Sequence, residues 1–290
     1  MDVEKCRALL AAIDTGSMAA AAQQLGYTPS GISRALAALE DETGFALLFR
    51  GHSGVMPTAE CRQLLPGIRE LVYRADACRQ LAGRIRGVET GSLTIGIAYS
   101  AYYVWLADTI ARFRSDHPNI DLHIIEGISI ELLSAMEERR ADIGIMSRLD
   151  GCGGWIPLTR DPMAALVPED HPLAKLDAFP VSAFETEPYI ELCPDKETDN
   201  ARLLAKRGIK PNVRFTTSDS VTVYAMVEAG LGVALINSIS TRYWTGRVKV
   251  MPLDPPHSVD IGICYPDPGA LSPAARRFVS LASRRSPALG

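Results

Sequence analysis

Residues 15–49 constrain this chain more than any other stretch. Ser17 follows Gly16 and is a good N-cap, and Met18 to Leu25 is Ala-rich and helix-prone. Gly26 supplies the positive φ that ends such a helix. Thr28 is the next N-cap, with Pro29 at the first helical position, where a missing N–H costs nothing. Beyond it Ile32, Leu36 and Leu39 recur at four and three and give one apolar face. Ser30, Ser33 and Arg34 fall largely off that face. The pattern is a short helix, a tight turn and a second helix. Small hydroxyls and one guanidinium lie near the second helix's start, where a DNA-reading helix meets base edges.

Residues 2–14 read as a third amphipathic helix, with Val3, Cys6, Leu10 and Ile13 stepping by three and four. Leu9, Ile13, Ala22, Leu25, Ile32, Leu36 and Leu39 are the expected shared core. After Gly44 come the apolar run 45–49 and then Arg50-Gly51-His52-Ser53-Gly54-Val55-Met56-Pro57, a hairpin with Arg50 at its edge. Thr58 caps a long helix in which Leu64, Ile68, Leu71, Ala75, Cys78, Ala82 and Ile85 form a heptad-like seam. A helix this long and this polar on its other face calls for a partner chain. Pro66, inside its first turns, is expected to kink the helix or delay its regular start.

These residues resemble the LysR-type transcriptional regulators. The family's G-S-x-x-x-A-A-x-x-L stands at Gly16–Leu25, its S-x-x-L-E-x-x-x-G at Ser33–Gly44 with three extra residues before Leu39-Glu40, and its L-F-R at Leu48-Phe49-Arg50. R-x-x-D-I-G-I is seen as Arg139–Ile145 and A-G-x-G-V-A-L-I as Ala229–Ile236, with Asn237 where the family has proline. Two departures occur in the front segment. Pro29 stands where the family often has Gln, which puts in question a base contact from that position, and His52-Ser53 replace a second basic residue of the wing, which lowers the expected phosphate affinity.

The fold class the resemblance implies is α/β. It comprises an N-terminal winged helix-turn-helix at 1–58, a dimerisation linker helix at 59–88 and an effector-binding part at 89–290. That last part resembles a type 2 periplasmic binding protein. Subdomain I is expected at about 89–162 plus 267–290, and subdomain II at about 163–266, with crossovers near Arg160–Ala165 and Cys264–Gly269. The alternating strands and helices after Gly91 agree with parallel-type sheets carrying helices on their faces.

The resemblance further implies a regulator that binds double-stranded DNA as a homodimer or homotetramer, with no membrane and no cofactor. Ser17, Thr28, Pro29, Ser30, Ser33, Arg34 and Arg50 are the candidate DNA contacts. Ligands of open α/β sheets sit beyond strand carboxyl ends, at helix N-termini. By that rule, together with the family's habit, Ser100, Tyr102, Ile128, Ser129, Ser147, Arg148, Thr217 and Ser218 are the candidate effector contacts. An Arg148 facing the cleft would favour an anionic ligand.

Composition narrows the alternatives. The net charge is −4, and residues 1–58 hold only Lys5, Arg7, Arg34 and Arg50 against six carboxylates, so one copy should grip phosphate weakly. The six cysteines are scattered without a C-x-x-C pair, so neither zinc nor a disulfide framework is expected. No catalytic Ser/His/Asp spacing, phosphate loop or histidine pair at helical spacing is present, so no enzyme is expected. The N-terminus lacks an apolar h-region, pointing to a cytoplasmic protein. Two other readings stay open: an effector-independent oligomeric DNA-binding regulator, and a soluble small-molecule-binding protein without DNA function.

Overall fold

The computed structural model describes residues 1–51, 54–86, 90–242, 244–266, 269 and 271–284, and the side chains of Arg50 and Arg84 lie outside that description. The wing positions His52 and Ser53 also lie outside it.

Three helices open the chain: α1 (Val3–Thr15), α2 (Met18–Leu25) and α3 (Pro29–Thr43). Their caps follow the sequence: Asp2, Ser17 and Thr28 each accept backbone N–H groups of the first turn. Leu9, Ala22, Ile32, Leu36 and Leu39 are buried at the centre, with Ile13 and Leu25 packed at its margin. A two-stranded wing follows, β1 (Leu48–Gly51) against β2 (Gly54–Pro57). The Glu40 carboxylate accepts the Leu47 N–H at 2.8 Å and so ties the wing to α3. Gly54 has φ +99°, and a Cβ there would stand 2.7 Å from the Gly16 carbonyl oxygen; only glycine lets β2 approach the α1–α2 corner.

The long helix α4 (Ala59–Ile85) starts at once after Thr58, whose hydroxyl accepts the Cys61 N–H at 3.0 Å. Pro66 therefore does not delay the helix, which runs through it. The expected seam divides. Ile68 is buried in the helical domain's core, whereas Cys78, Ala82 and Ile85 are exposed. Leu81, outside the expected seam, is exposed beside them.

The rest is α/β. The first unit contains β3 (Gly91–Ile97), α5 (Tyr103–Asp116), β4 (Ile120–Glu126), α6 (Ser129–Glu137) and β5 (Ile143–Ser147). Its strands β4, β3 and β5 run parallel in that order. β6 (Gly154–Pro168) then carries the chain into the second unit, with β7 (Phe179–Pro180), β8 (Tyr189–Leu192), α7 (Asp199–Arg207), β9 (Val213–Thr217), α8 (Ser220–Glu228), β10 (Ala234–Asn237) and β11 (Val248–Asp254). β12 (Ser258–Tyr265) and α9 (Pro273–Ser283) complete the chain. The apolar cores follow the same division, one around Ile95, Ile145 and Phe278 and another around Val167, Phe184 and Leu235.

β6 is the shared strand. Its first half pairs with β12, and its second half with β10 and β11. The first crossover thus passes through Pro162–Met163, inside the expected stretch. The return lies elsewhere. β12 pairs with β5 throughout Ile261–Cys264, so the chain is already back in the first unit by Ser258. The second crossover falls at residues 255–257, where the His257 carbonyl accepts the Met163 N–H at 2.9 Å, and not at Cys264–Gly269. Residues 258–266 accordingly leave the expected subdomain II. The sequence reading also misses β11 and the first half of β6, whose apolar residues follow no clean alternation.

One disulfide joins Cys152 to Cys264, residues 112 apart in sequence. The scattered spacing gave no sign of it, because the pairing depends on β12 lying next to the turn after β5. Cys6 and Cys61 are free and buried, and burial pushes the Cys61 thiol up to about 11.

The helical domain, α4 and the first unit are tied by polar contacts. Arg69 reaches Asp14 at 2.9 Å, Arg79 reaches Glu4 at 2.6 Å, and Arg7 pairs with Asp76. On the other side, Arg139 Nε meets Glu70 at 2.6 Å while its guanidinium lies 4.5 Å from the Tyr73 ring centre. The Tyr73 hydroxyl accepts the Ser272 N–H at 2.9 Å.

Candidate DNA-reading helix and ligand cleft

α3 turns Ile32, Leu36 and Leu39 inward and leaves Ser30 and Arg34 exposed, with Ser33 half-buried between the two faces. Positions 30, 33 and 34 fall on neighbouring turns of one side. The capping hydroxyls are already engaged. Ser17 accepts the Ala20 N–H at 3.3 Å, and Thr28 accepts the Gly31 N–H at 3.1 Å and meets the Ser30 hydroxyl at 3.1 Å. Pro29 is exposed at the helix's first turn. Arg34 donates from Nε to the Ser30 carbonyl at 3.4 Å, and no carboxylate pairs with it among the described residues. Lys5 lies near Glu42, and Arg7 near Asp76 and Glu4, so the domain's other described cations are spoken for. Arg50 is on β1 by its backbone, but its side chain lies outside the described residues. Tyr27, half exposed just before Thr28, was missed; a lone aromatic in a turn carries no periodic signal.

A cavity of about 530 Å³ opens between the two α/β units. Its walls are the carboxyl ends of β3, β4, β8 and β10 and the starts of α6, α7 and α8. Ser100, Ile128, Ser129 and Ser218 line it, as expected from their places after strands. Ser147 sits one layer behind: its hydroxyl meets that of Ser129 at 2.9 Å and accepts from Arg202 at 3.2 Å.

Besides Ser147, three further expected contacts are not in the wall. Tyr102 is fully buried in the first unit's core, edge-on to Trp105 at 6.0 Å, because the 3-10 turn Ser100–Tyr102 aims it inward. Its neighbours Tyr99 and Tyr103 line the cavity instead. Arg148 is exposed at the end of β5, its N–H donating to the Asp260 carbonyl at 2.9 Å and its guanidinium 6.0 Å from the Trp155 ring. Strand alternation explains it: Ser147 points to α6, so the next residue points away. The condition for an anionic ligand therefore fails. Thr217 uses its hydroxyl to accept the Asp219 N–H at 3.2 Å, and the wall begins at Ser218.

The sequence reading missed most of the charge in the cleft. Lys196, in the turn after β8, pairs across the gap with Glu131 of α6 and pulls that carboxyl below its usual range. The Tyr99 hydroxyl donates to Asp199 at the start of α7; burial foremost, and then the Asp199 charge, raise the phenol well above its usual range. Arg202 pairs with Asp199 and also reaches Ser147. Tyr103 donates to Glu126 at 2.8 Å, and burial with that carboxylate pushes the phenol up to about 12. Asp219 caps α8 and is held below its usual range chiefly by the Thr222 hydroxyl. The strand-then-cap rule applied to Leu192 and Thr198 would have found the α7 wall. The pairing of its residues across the gap has no sequence signal.

Behind the cleft, Asp161 on β6 accepts from the Ser238 hydroxyl at 2.7 Å and the Ile239 N–H at 3.0 Å. Burial raises its carboxyl against those hydrogen bonds.

Comparison with known proteins agrees with this architecture. Residues 3–62 match the family described as bacterial regulatory helix-turn-helix protein, lysR family, and residues 86–286 match the LysR substrate binding domain. An uncharacterized HTH-type transcriptional regulator, YvbU of Bacillus subtilis, is 28% identical over 285 residues, covering 97% of this chain and 98% of that protein. Full-length OxyR C199D from Pseudomonas aeruginosa shares the fold with TM-score 0.73 at 19% identity, covering 98% and 97% of the two chains. CbnR in complex with its target DNA shares it with TM-score 0.61 at 18% identity, covering 98% and 99%. With a winged helix-turn-helix at one end and a two-unit substrate-binding domain at the other, this chain belongs to the LysR family of transcriptional regulators.

Proposed function

We propose that two copies of this chain read an interrupted palindrome, one α3 in each of two major grooves, and that a ligand in the cleft adjusts how the pair sits on DNA. The observation that carries the reading is the outer face of α3. There Arg34 and Ser30 are exposed opposite a fully buried apolar face, and no carboxylate holds the cation among the described residues. Ser30, Ser33 and Arg34 are assigned to base edges. Ser17, Thr28 and Pro29 are assigned to placing the two helices, and Arg50 to phosphate. CbnR, of the same fold, is seen on its target DNA, and we carry that mode of binding over to this chain. The reading as a regulator rather than an enzyme rests on relatives such as YvbU. No helix among the described residues is long and apolar enough to cross a membrane, and reading genomic DNA places the protein in the cytoplasm.

Pairing is assigned to α4, whose exposed Cys78, Leu81, Ala82 and Ile85 stand at helical spacing. α6 is the route from ligand to DNA. Its first residue, Ser129, faces the cleft, while Arg139, just beyond its end, holds Glu70 and Tyr73 of the linker helix. A shift of α6 on ligand binding moves α4 directly.

The test is selection of genomic fragments by the purified protein at one fixed salt concentration, with Arg34→Ala in parallel. A dyad motif recovered by the wild type and lost by the variant is expected. Equal recovery by both rejects Arg34 as a reader, and recovery without any motif rejects sequence-specific binding.

A further inference from the structure

The chemistry of the cleft wall narrows its ligand, an argument that rests on the cleft being the effector site. The wall carries Glu126, Glu131, Glu197, Asp199 and Asp219 against Lys196 and Arg202. Both cations are committed, Lys196 to Glu131 and Arg202 to Asp199. The helix starts that would otherwise attract an anion are filled from within the chain. Asp219 accepts the Val221 and Thr222 N–H groups of α8, and Glu131 accepts the Ile128 N–H at 3.1 Å at the start of α6. A carboxylate or phosphate entering here would meet occupied donors and paired cations.

A cation meets the opposite situation. Glu126 and Glu197 have no cationic partner among the described residues, and Glu126 is held by the Tyr103 phenol. Tyr103 is 41% exposed in the same wall, leaving an aromatic side chain beside a carboxylate. Val221, 61% exposed, and Leu192 offer apolar surface for a carbon chain. This aromatic and apolar surface beside Glu126 suits an organic cation, and among the described residues no group of three carboxylate, Cys or His side chains is arranged to hold a metal ion.

We propose that the cleft binds a small organic ammonium ion, its charge set against Glu126 and Tyr103 and its carbon chain against Val221 and Leu192. The probes are butylammonium, 1,4-diaminobutane and choline, against butyrate and succinate of matching length. They are compared by thermal shift and calorimetry on the full chain at constant ionic strength. At least one of the three cations should raise the melting temperature saturably, and neither carboxylate should. Glu126→Gln, whose own melting temperature without ligand checks the fold, should weaken cation binding about tenfold. Stabilisation by a carboxylate instead, binding undiminished in Glu126→Gln, or no shift with any probe each overturns the proposal. The effector cleft itself is judged without any ligand. Lys196→Ala opens the Glu131 link, and a change in its DNA binding upholds the cleft as a control site whatever the probes do.

Discussion

The DNA-facing helix and the ligand cleft are built on opposite plans. On α3 the outward residues Ser30, Ser33 and Arg34 lie within five consecutive positions, and one helix with one buried face presents them. In the cleft, Tyr103, Ser129, Lys196 and Ser218 come from four separate segments of two units and meet because β6 and the 255–257 crossover hold those units together. A surface on one helix survives anything that leaves the helix folded. A surface made by convergence depends on every link across the gap.

Leu36→Ala attacks the first plan at its root. It removes a fully buried side chain from the small helical core and should cost about 2–5 kcal/mol. Chemical denaturation should show the helical domain unfolding earlier, with ligand-induced stabilisation of the α/β units retained. Loss of both together would mean that the two regions fold as one unit and would break the comparison.

Arg34→Ala sharpens it from the other side. The exposed side chain contributes little to stability, so the melting temperature should stay put. Discrimination of the selected site from random DNA, read by fluorescence anisotropy, should fall by about 1–3 kcal/mol.

Asp142 tests the junction between the regions, beside Arg139 and the linker helix. Burial raises its carboxyl to about 6, against the hydrogen bond from the Thr94 N–H at 2.7 Å and the charge of Arg139. An acid with a raised folded-state pKa binds more protons folded than unfolded between about pH 4 and 6. Its contribution therefore falls as pH rises through that window and stays unfavourable above it. Asp142→Asn should stabilise the protein by about 1–3 kcal/mol at pH 7.5 and hardly at all at pH 4. A pH-independent effect would remove the carboxyl as its cause.

Lys196→Ala should have the smallest effect on stability, because both partners are exposed to solvent. Its effect belongs to the cleft. Small-angle scattering should show the two units further apart, whereas an unchanged profile would mean that Tyr99–Asp199 and Arg202–Ser147 hold the gap unaided.

This difference in plan also explains what could be read in advance. The helix boundaries around Gly26, the caps Ser17 and Thr28 and the buried set Ile32, Leu36 and Leu39 are local matters of spacing. Ser100, Ser129 and Ser218 were legible in the cleft because the end of a strand and the start of a helix are local as well. Tyr102 and Arg148 misled, since a residue one position along a turn or strand can face the opposite way. Lys196, Glu126 and Asp199 went unnoticed because charged residues in turns and at the ends of strands and helices are ordinary until something stands across from them.

The sequence by itself determined the helix-turn-helix, the long linker helix and an α/β remainder, because capping, apolar periodicity and strand–helix alternation act between residues a few positions apart. Only the tertiary structure decided that β12 returns to the first unit, that Cys152 meets Cys264, and that Lys196 is already paired with Glu131 across the cleft. Those outcomes follow from pairing across more than a hundred residues or across a gap between units, where no local pattern records which groups will meet.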